Sequence, residues 1–116
     1  MFNSTQIYSD HNNVQVSAIT RIAFGDVVAG HDYMIKAGDS INTINFQLGP
    51  VPTHGVNGVT NEAIIAVLLH RLKFLDAKFA CDENKRAIQH LEEALVNLEV
   101  RTARRMVRGV EGKEQV

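Results

Sequence analysis

The hydrophobic pattern of this chain changes its period at one segment, and the change divides the chain into two unlike halves. The segment is LGPVPTHGVNG, and it holds both prolines, Pro50 and Pro52. Upstream, apolar and polar residues alternate in short runs, as in 14–18 and 44–48, which is typical of strands. Downstream, apolar residues recur every three or four positions, which is the period of a helix. The pattern predicts an α+β fold, in which a small N-terminal antiparallel β-sheet is followed by a C-terminal antiparallel two-helix hairpin.

Turn-forming pairs divide the N-terminal half into strands. The pairs are Gly25-Asp26, Ala29-Gly30 and Gly38-Asp39. We expect the sheet at residues 14–48, and we expect the polar residues 1–13 to be ragged. A Gly/Pro linker then covers 49–60, and the helical hairpin covers 61–108. With 116 residues and 45% apolar content, the whole chain 1–116 is expected to form a single domain.

The first predicted helix runs from Asn61 to Asp76, with Thr60 as its N-cap. Three-to-four spacing places five apolar residues on one face, which we expect to pack inward. These residues are Ile64, Val67, Leu68, Leu72 and Leu75.

The second predicted helix is much longer than the first. It begins at Cys81 or Asp82 and runs to Arg108, where Gly109 ends it. Its apolar stripe is Ile88, Leu91, Leu95, Leu98 and Thr102. At 1.5 Å per residue this helix is roughly 40 Å long and overshoots the first by about ten residues. Because the first helix cannot cover that overhang, we expect another chain to cover it.

Four arginines near the end of the second helix are the most unusual feature of the sequence. They are Arg101, Arg104, Arg105 and Arg108, whose spacings of three, four and seven place them on one helical face. Arginine forks bind phosphate oxygens bidentately and keep their charge, which suits them to a pyrophosphate or a cyclic nucleotide. The same cations would also favour the helix dipole, with Glu99 as a partner, so both interpretations stay open. Repulsion between crowded like charges favours the ligand slightly.

Three further residues are candidates for contacts with a base or sugar. Phe74 lies off the main apolar stripe and could stack a base, although an aromatic at a helix edge is more often part of a core. Asn84 and Asn61 each stand at the start of a helix, where an asparagine either binds a ligand edge or caps the first turn.

Several function classes are disfavoured by composition. The formal net charge of -1 provides no general basic field for nucleic acid. A lone cysteine, Cys81, permits neither an internal disulfide nor a cysteine zinc site, and the five histidines are dispersed. We therefore expect no catalytic residue, no metal and no cofactor. Because no apolar run resembles a signal peptide or a membrane span, we expect a soluble, intracellular protein.

The chain resembles the phage Thoeris anti-defence sponges of the first type through an ordered series of motifs. The series begins with INFQLGPVPTHGVNGVTNEAIIAVLLHRL and continues with FACDEN, LEEAL, RTARR and RGVEG. The resemblance covers about Ile41 to Gly112. The phage sponge that blocks cyclic-oligonucleotide signalling in CBASS immunity shares the same hairpin.

The resemblance implies that the protein sequesters nucleotide immune messengers without cleaving them. The implied ligand is the glycocyclic ADP-ribose made in Thoeris defence, and CBASS cyclic di- or trinucleotides could bind elsewhere on the same oligomer. Such a protein would work in the cytoplasm of the infected bacterial host, and it would bind neither nucleic acid nor a membrane.

The resemblance also assigns roles to residues. It implies that Phe74 stacks the base, that Asn84 makes a polar contact, and that Arg101 and Arg105 clamp the phosphates. Weaker ligand candidates are Asn57, Gly58, Asn61, Arg104 and Arg108. The chain departs from its relatives at Phe-Leu-Asp after Lys73 and at Asp82, so details of the pocket are expected to differ.

Helix geometry adds a constraint on how these residues meet. Asn84 and Arg101 are seventeen residues apart on one predicted helix, which is about 25 Å, too far for one mononucleotide-sized ligand. If both bind the same molecule, two long helices must run antiparallel, which predicts a homodimer with intersubunit pockets. The resemblance further suggests assembly of dimers into a hexamer.

Two other functions stay open on the sequence alone. One is an enzyme that degrades the same messengers. The other is a helical interaction or nucleic-acid-binding module that uses the arginine face on a phosphate backbone, whose binding should weaken steeply with salt.

Overall fold

A computed structural model describes residues 2–109, which form four strands and three helices grouped into two compact units. The first unit takes in residues 2–48 together with Val56–Gly58. The second takes in Gly49–Gly55 and residues 59–109. The predicted α+β class, an N-terminal antiparallel sheet followed by helices, is confirmed. Residues 110–112 of the RGVEG motif lie outside the described residues.

The sheet consists of β1 (Phe2–Ser9), β2 (Gln15–Ala23), β3 (Asp26–Ala37) and β4 (Ser40–Asn45). Each strand pairs antiparallel with the next one, in the order β1-β2-β3-β4. The sheet begins ahead of residue 14, since β1 occupies residues that we expected to be ragged. β1 is an edge strand with mostly exposed polar residues, so no hydrophobic alternation marks it in the sequence.

Two of the three predicted turns are correct. Gly25 and Gly38 adopt positive φ angles, of 83° and 59°, at the hairpin turns between successive strands. The pair Ala29-Gly30 is not a turn, because it lies inside β3. There the pairing shifts between Ile19 and Arg21 of β2, and Gly30 has a φ of 79°, as in a β-bulge. Glycine occurs in both turns and bulges, so only the pairing of the strands shows which of the two a given glycine forms.

The segment that we predicted as a Gly/Pro linker, 49–60, combines one short helix with irregular backbone. It contains the short helix α1 (Val51–His54), which follows Pro50 at its N-cap. Asn57 and Gly58 belong to the sheet unit, where Asn57 makes three hydrogen bonds to residues 47 and 48. The change of hydrophobic period therefore falls on a segment that contains one short helix.

The hairpin consists of α2 (Asn61–Lys78) and α3 (Asp82–Val107). The Thr60 hydroxyl accepts a hydrogen bond from the backbone N–H of Ala63 at 3.1 Å, which confirms the predicted N-cap. The Cys81 sulfur caps α3 in the same way. α2 ends two residues beyond the predicted Asp76, while α3 ends at Val107, one residue short of the predicted Arg108.

The inward faces of the two helices were predicted with different success. The stripe of α3 is half-buried along its length, as expected from its spacing. On α2, however, Val67 and Leu68 are exposed, and the neighbouring Leu69 is buried instead. α2 carries apolar residues on more than one face, so its sequence does not single out the face that packs.

The overhang of α3 is shorter than the predicted ten residues. The Thr102 hydroxyl donates to the Glu62 carboxylate at 3.2 Å, so the start of α2 lies beside Thr102. Only Ala103–Val107 continues past that contact. The prediction compared helix lengths and ignored the residues that the turn between the helices displaces.

Candidate functional site

Phe74 lies in the last turns of α2, and its side chain is 52% exposed. The ammonium nitrogen of Lys78 lies 4.8 Å from the centre of its ring, one helical turn further along, which is a cation–π contact. The ring is therefore available at the surface with a cation on one face. Lys78 was missed in the sequence, although its spacing of four from Phe74 was the pattern that could have revealed it.

Asn84 lies in the first turn of α3, near the connection between the helices. Its side-chain amide donates to the backbone carbonyl of Phe79 at 3.4 Å, while its backbone N–H donates to the sulfur of Cys81. The side-chain NH2 group of Asn84 thus pairs with the carbonyl at the C-cap of α2. The side-chain oxygen takes no part in that hydrogen bond. A ligand contact and a structural contact can coexist on this residue.

An ion pair holds the same connection together. Asp76 accepts hydrogen bonds from the Lys85 ammonium at 2.8 Å and from the backbone N–H of Cys81 at 3.2 Å. The Lys85 hydrogen bond lowers the pKa of Asp76, and the same bond raises the pKa of Lys85. The end of the hairpin that carries Phe74 and Asn84 is therefore tied across both helices.

The arginine face at the far end of α3 is not uniform. Arg101, Arg104 and Arg108 are exposed, whereas Arg105 is 6% exposed and already has an interaction partner. Arg105 continues the half-buried face of α3, three residues after Thr102. The four arginines therefore differ in accessibility, because the three-to-four spacing that places them on one helical face also continues the packed face at Arg105.

A shallow groove of about 430 Å³ accompanies these arginines. It is lined by Val100, Ala103, Arg104, Val107 and Arg108. The lining combines aliphatic side chains with two charged ends.

The structure does not bring the predicted ligand residues together within one hairpin. Asn84 and Arg101 both lie on α3, which is one continuous helix. Seventeen residues of helix separate them by about 25 Å. Phe74 lies close in sequence to the Asn84 end, so the hairpin carries two separate groups of predicted ligand residues.

The weaker candidates Asn57 and Gly58 have structural roles of their own. The Asn57 side chain accepts from the backbone N–H of Leu48 at 2.9 Å and donates to its carbonyl at 2.7 Å. A Cβ on Gly58 would lie 2.4 Å from the backbone carbonyl carbon of Phe46, so only glycine fits. Asn61 is the exposed first residue of α2. Ligand contacts from these residues stay a prediction.

A polar cluster in the sheet unit was missed by the sequence. Asp32 is buried, and it accepts from Nε of Arg21 at 2.6 Å and from the Asn45 amide at 2.7 Å. Burial raises the pKa of Asp32, but the hydrogen bonds from Arg21 and Asn45 outweigh it and hold that pKa below its usual value. The three residues come from three strands, so only the strand register reveals them.

Across residues 2–109, no group of three or more His, Cys, Asp or Glu side chains could hold a metal ion. Within the same range, no helix has the length and apolar character needed to cross a membrane.

The fold and the placement of these residues define the chain as a small α+β protein whose C-terminal part is an antiparallel helical hairpin. Residues 39–103 match the model of the Acb2/Tad1 hairpin domain, which spans more than half of the chain. The chain belongs to this family. The match confirms the resemblance that the hairpin motifs indicated.

A relative from a Bacillus phage supports the same placement. The chain is similar to "Thoeris anti-defense 1" of Bacillus phage SBSphiJ7, with 55% identity over 74 residues. The aligned part is 63% of this chain and 52% of the relative, so the chain spans about half the length of that protein.

Proposed function

We propose that this protein is a phage anti-defence protein that binds a nucleotide immune messenger and releases it slowly, without cleaving it. The observation that carries the proposal is an exposed aromatic, Phe74, combined with exposed arginines on a hairpin of the Acb2/Tad1 family. The relative's name, "Thoeris anti-defense 1", supports the anti-defence role.

The chemistry of the two residue groups matches a ligand with a base and a pyrophosphate. Phe74 offers a flat exposed ring for a base, and Asn84, at the start of the following helix, offers an amide oxygen for a polar edge. Arg101 is an exposed guanidinium suited to phosphate oxygens. Glycocyclic ADP-ribose is the messenger that we propose, and CBASS cyclic di- or trinucleotides are proposed as further ligands.

Two protomers are needed if one messenger contacts both residue groups. About 25 Å of helix separates Asn84 from Arg101 within a chain, which exceeds a mononucleotide-sized ligand. An antiparallel pair of α3 helices would bring Arg101 and Arg105 of one protomer to Phe74 and Asn84 of its partner. A twofold pair would form two equivalent pockets.

Exposed apolar residues on α3 support the same assembly. Val96, Val100 and Val107 are exposed, and they follow one another at spacings of four and seven on the helix. A second α3 would remove this stripe from water, and further pairing of dimers would give the proposed hexamer. Arg105 is nearly inaccessible in the single chain, so its contribution would require the pocket to open around it.

The biological effect would follow from mass action in the cytoplasm of the infected host. Free messenger falls below the threshold of the defence effector when binding sites exceed messenger molecules. Slow release keeps it there, because affinity among related complexes is set mainly by the dissociation rate. No chemical step is required of the protein.

The experiment that tests the proposal separates capture from degradation. The protein is mixed with excess messenger, the complex is isolated by gel filtration and then denatured, and the released small molecule is identified by mass spectrometry. Capture predicts one unaltered messenger per pocket. A hydrolysed product in the protein fraction or in the free small-molecule fraction would make the protein an enzyme, whereas unaltered messenger found only in the free fraction would refute both functions.

A further inference from the structure

The sheet unit contains a second concave surface whose chemistry also suits a nucleotide. We propose that this pocket, of about 470 Å³, binds a nucleotide through its phosphate and its base, with Arg21 and Phe24 as the main contacts. The lining of the pocket also includes Asp32, Asn45 and Phe46. All of these residues belong to the sheet unit, so the inference does not depend on the function proposed for the hairpin.

Arg21 is positioned before any ligand arrives. Its Nε donates to the buried Asp32 carboxylate at 2.6 Å, and Asn45 holds the other carboxylate oxygen at 2.7 Å. The guanidinium side chain is still 39% exposed. Because the ion pair uses Nε, it does not occupy the two terminal nitrogens of the fork, which are the donors that a bidentate phosphate contact needs. An arginine whose orientation is set in advance loses little freedom on binding phosphate oxygens.

The Asp32 carboxylate also limits what Arg21 can hold. It balances the charge of the guanidinium, so a free anion gains directed hydrogen bonds but little net attraction. A simple phosphate should therefore bind weakly. Useful affinity requires a second contact, and the lining provides aromatic rings for it.

Phe24 supplies that second contact from an unfavourable backbone position. It has a φ of 53°, in the left-handed region that suits Gly, Asn or Asp at a two-residue hairpin turn and disfavours a bulky side chain. Its ring lines the pocket and is 64% exposed. Backbone strain of this kind is kept where the side chain is needed. A ring presented next to an arginine fork is suited to stack a base whose phosphate reaches the fork.

The test uses adenosine monophosphate as a probe on the full chain, with adenosine and inorganic phosphate as separate arms. Backbone and arginine Nε signals are followed by two-dimensional NMR during each titration. We expect adenosine monophosphate to shift the signals of Phe24, Gly25 and the Arg21 side chain. Each half of the probe alone should bind about tenfold or more weakly, since each keeps only one contact.

Two variants separate a binding role from a structural one. Phe24→Asn suits the turn better than phenylalanine, so it should leave the melting temperature unchanged or raise it while weakening the probe about tenfold or more. Arg21→Lys keeps an ion pair to Asp32 but loses the fork, and it should weaken the probe at least about fivefold. Phe24→Trp is the matched control and should retain binding.

Three results would overturn the inference. One is unchanged affinity in both Phe24→Asn and Arg21→Lys. Another is equal affinity for inorganic phosphate and the nucleotide, which would make the pocket a simple anion site. The third is a Phe74→Ala variant in which adenosine monophosphate no longer shifts the signals of Phe24, Gly25 and the Arg21 side chain. The nucleotide would then bind to the hairpin and not to the sheet pocket.

Discussion

Replacement of Phe74 by alanine should weaken messenger capture strongly and stability only slightly. Stacking of a base on an aromatic side chain contributes about 1–3 kcal/mol, so Phe74→Ala should raise the dissociation constant about 5- to 150-fold. The stability cost is smaller because the ring is 52% exposed and packs little. The variant also loses the contact with Lys78 at 4.8 Å, which at an exposed site is worth about 0.5–1 kcal/mol. The expected destabilisation is therefore about 1 kcal/mol.

Phe79 provides a matched control at the same end of the hairpin. It is the C-cap residue of α2 and is 74% exposed, and only its backbone carbonyl bonds to Asn84. Phe79→Ala therefore removes an exposed ring without touching the predicted stacking residue. Calorimetry with glycocyclic ADP-ribose measures affinity, and urea denaturation measures stability. Equal affinity for wild type and Phe74→Ala, or an equal loss in both variants, would refute the assignment of Phe74.

Three further predictions address Arg101, Gly58 and Asp32. Arg101→Ala should weaken capture about tenfold or more by calorimetry, since hydrogen bonds from a charged group contribute about 1.5–3 kcal/mol. A similar loss in Arg104→Ala would contradict the ranking of Arg101 above Arg104 as a ligand residue. Gly58→Ala places a Cβ 2.4 Å from the Phe46 backbone and should cost about 1–3 kcal/mol in urea denaturation, so a wild-type midpoint would be inconsistent with the described packing. The pKa of Asp32 in the folded protein lies below its ordinary value of 3.8. The ionised carboxylate therefore stabilises the fold above pH 3.8, and this contribution is lost as the pH falls through the folded pKa. Urea midpoints measured down to about pH 3 should fall less steeply in Asp32→Asn than in the wild type.

Much of the hairpin was predictable because its determinants are local. Thr60 caps α2 through a bond that spans three residues, and Gly109 adopts the positive φ of 72° that ends a helix. The face of α3 followed from spacing alone. The stripe of α2 was misassigned at Val67 and Leu68, because a helix with apolar residues on several faces carries no single preferred direction.

The sheet unit was less predictable because its contacts are long-range. Nothing local in the sequence joins Arg21, Asp32 and Asn45, which meet only through the register of three strands. Similarly, the sequence indicates only a loop residue at Asn57, whereas in the structure its side chain pairs with the backbone of Leu48. A polar edge strand such as β1 shows no alternation, so its pairing is invisible in the sequence.

The sequence by itself determined the α+β order, the boundaries of α2 and α3 to within two residues and the distance between the two groups of predicted ligand residues. That distance depends only on the rise per residue of one uninterrupted helix, so Asn84 and Arg101 lie about 25 Å apart whatever surrounds α3. The tertiary structure decided which side chains are accessible. Arg101 and Arg105 look equivalent in sequence, yet only Arg101 is exposed, because burial depends on the neighbours that packing brings from elsewhere in the chain.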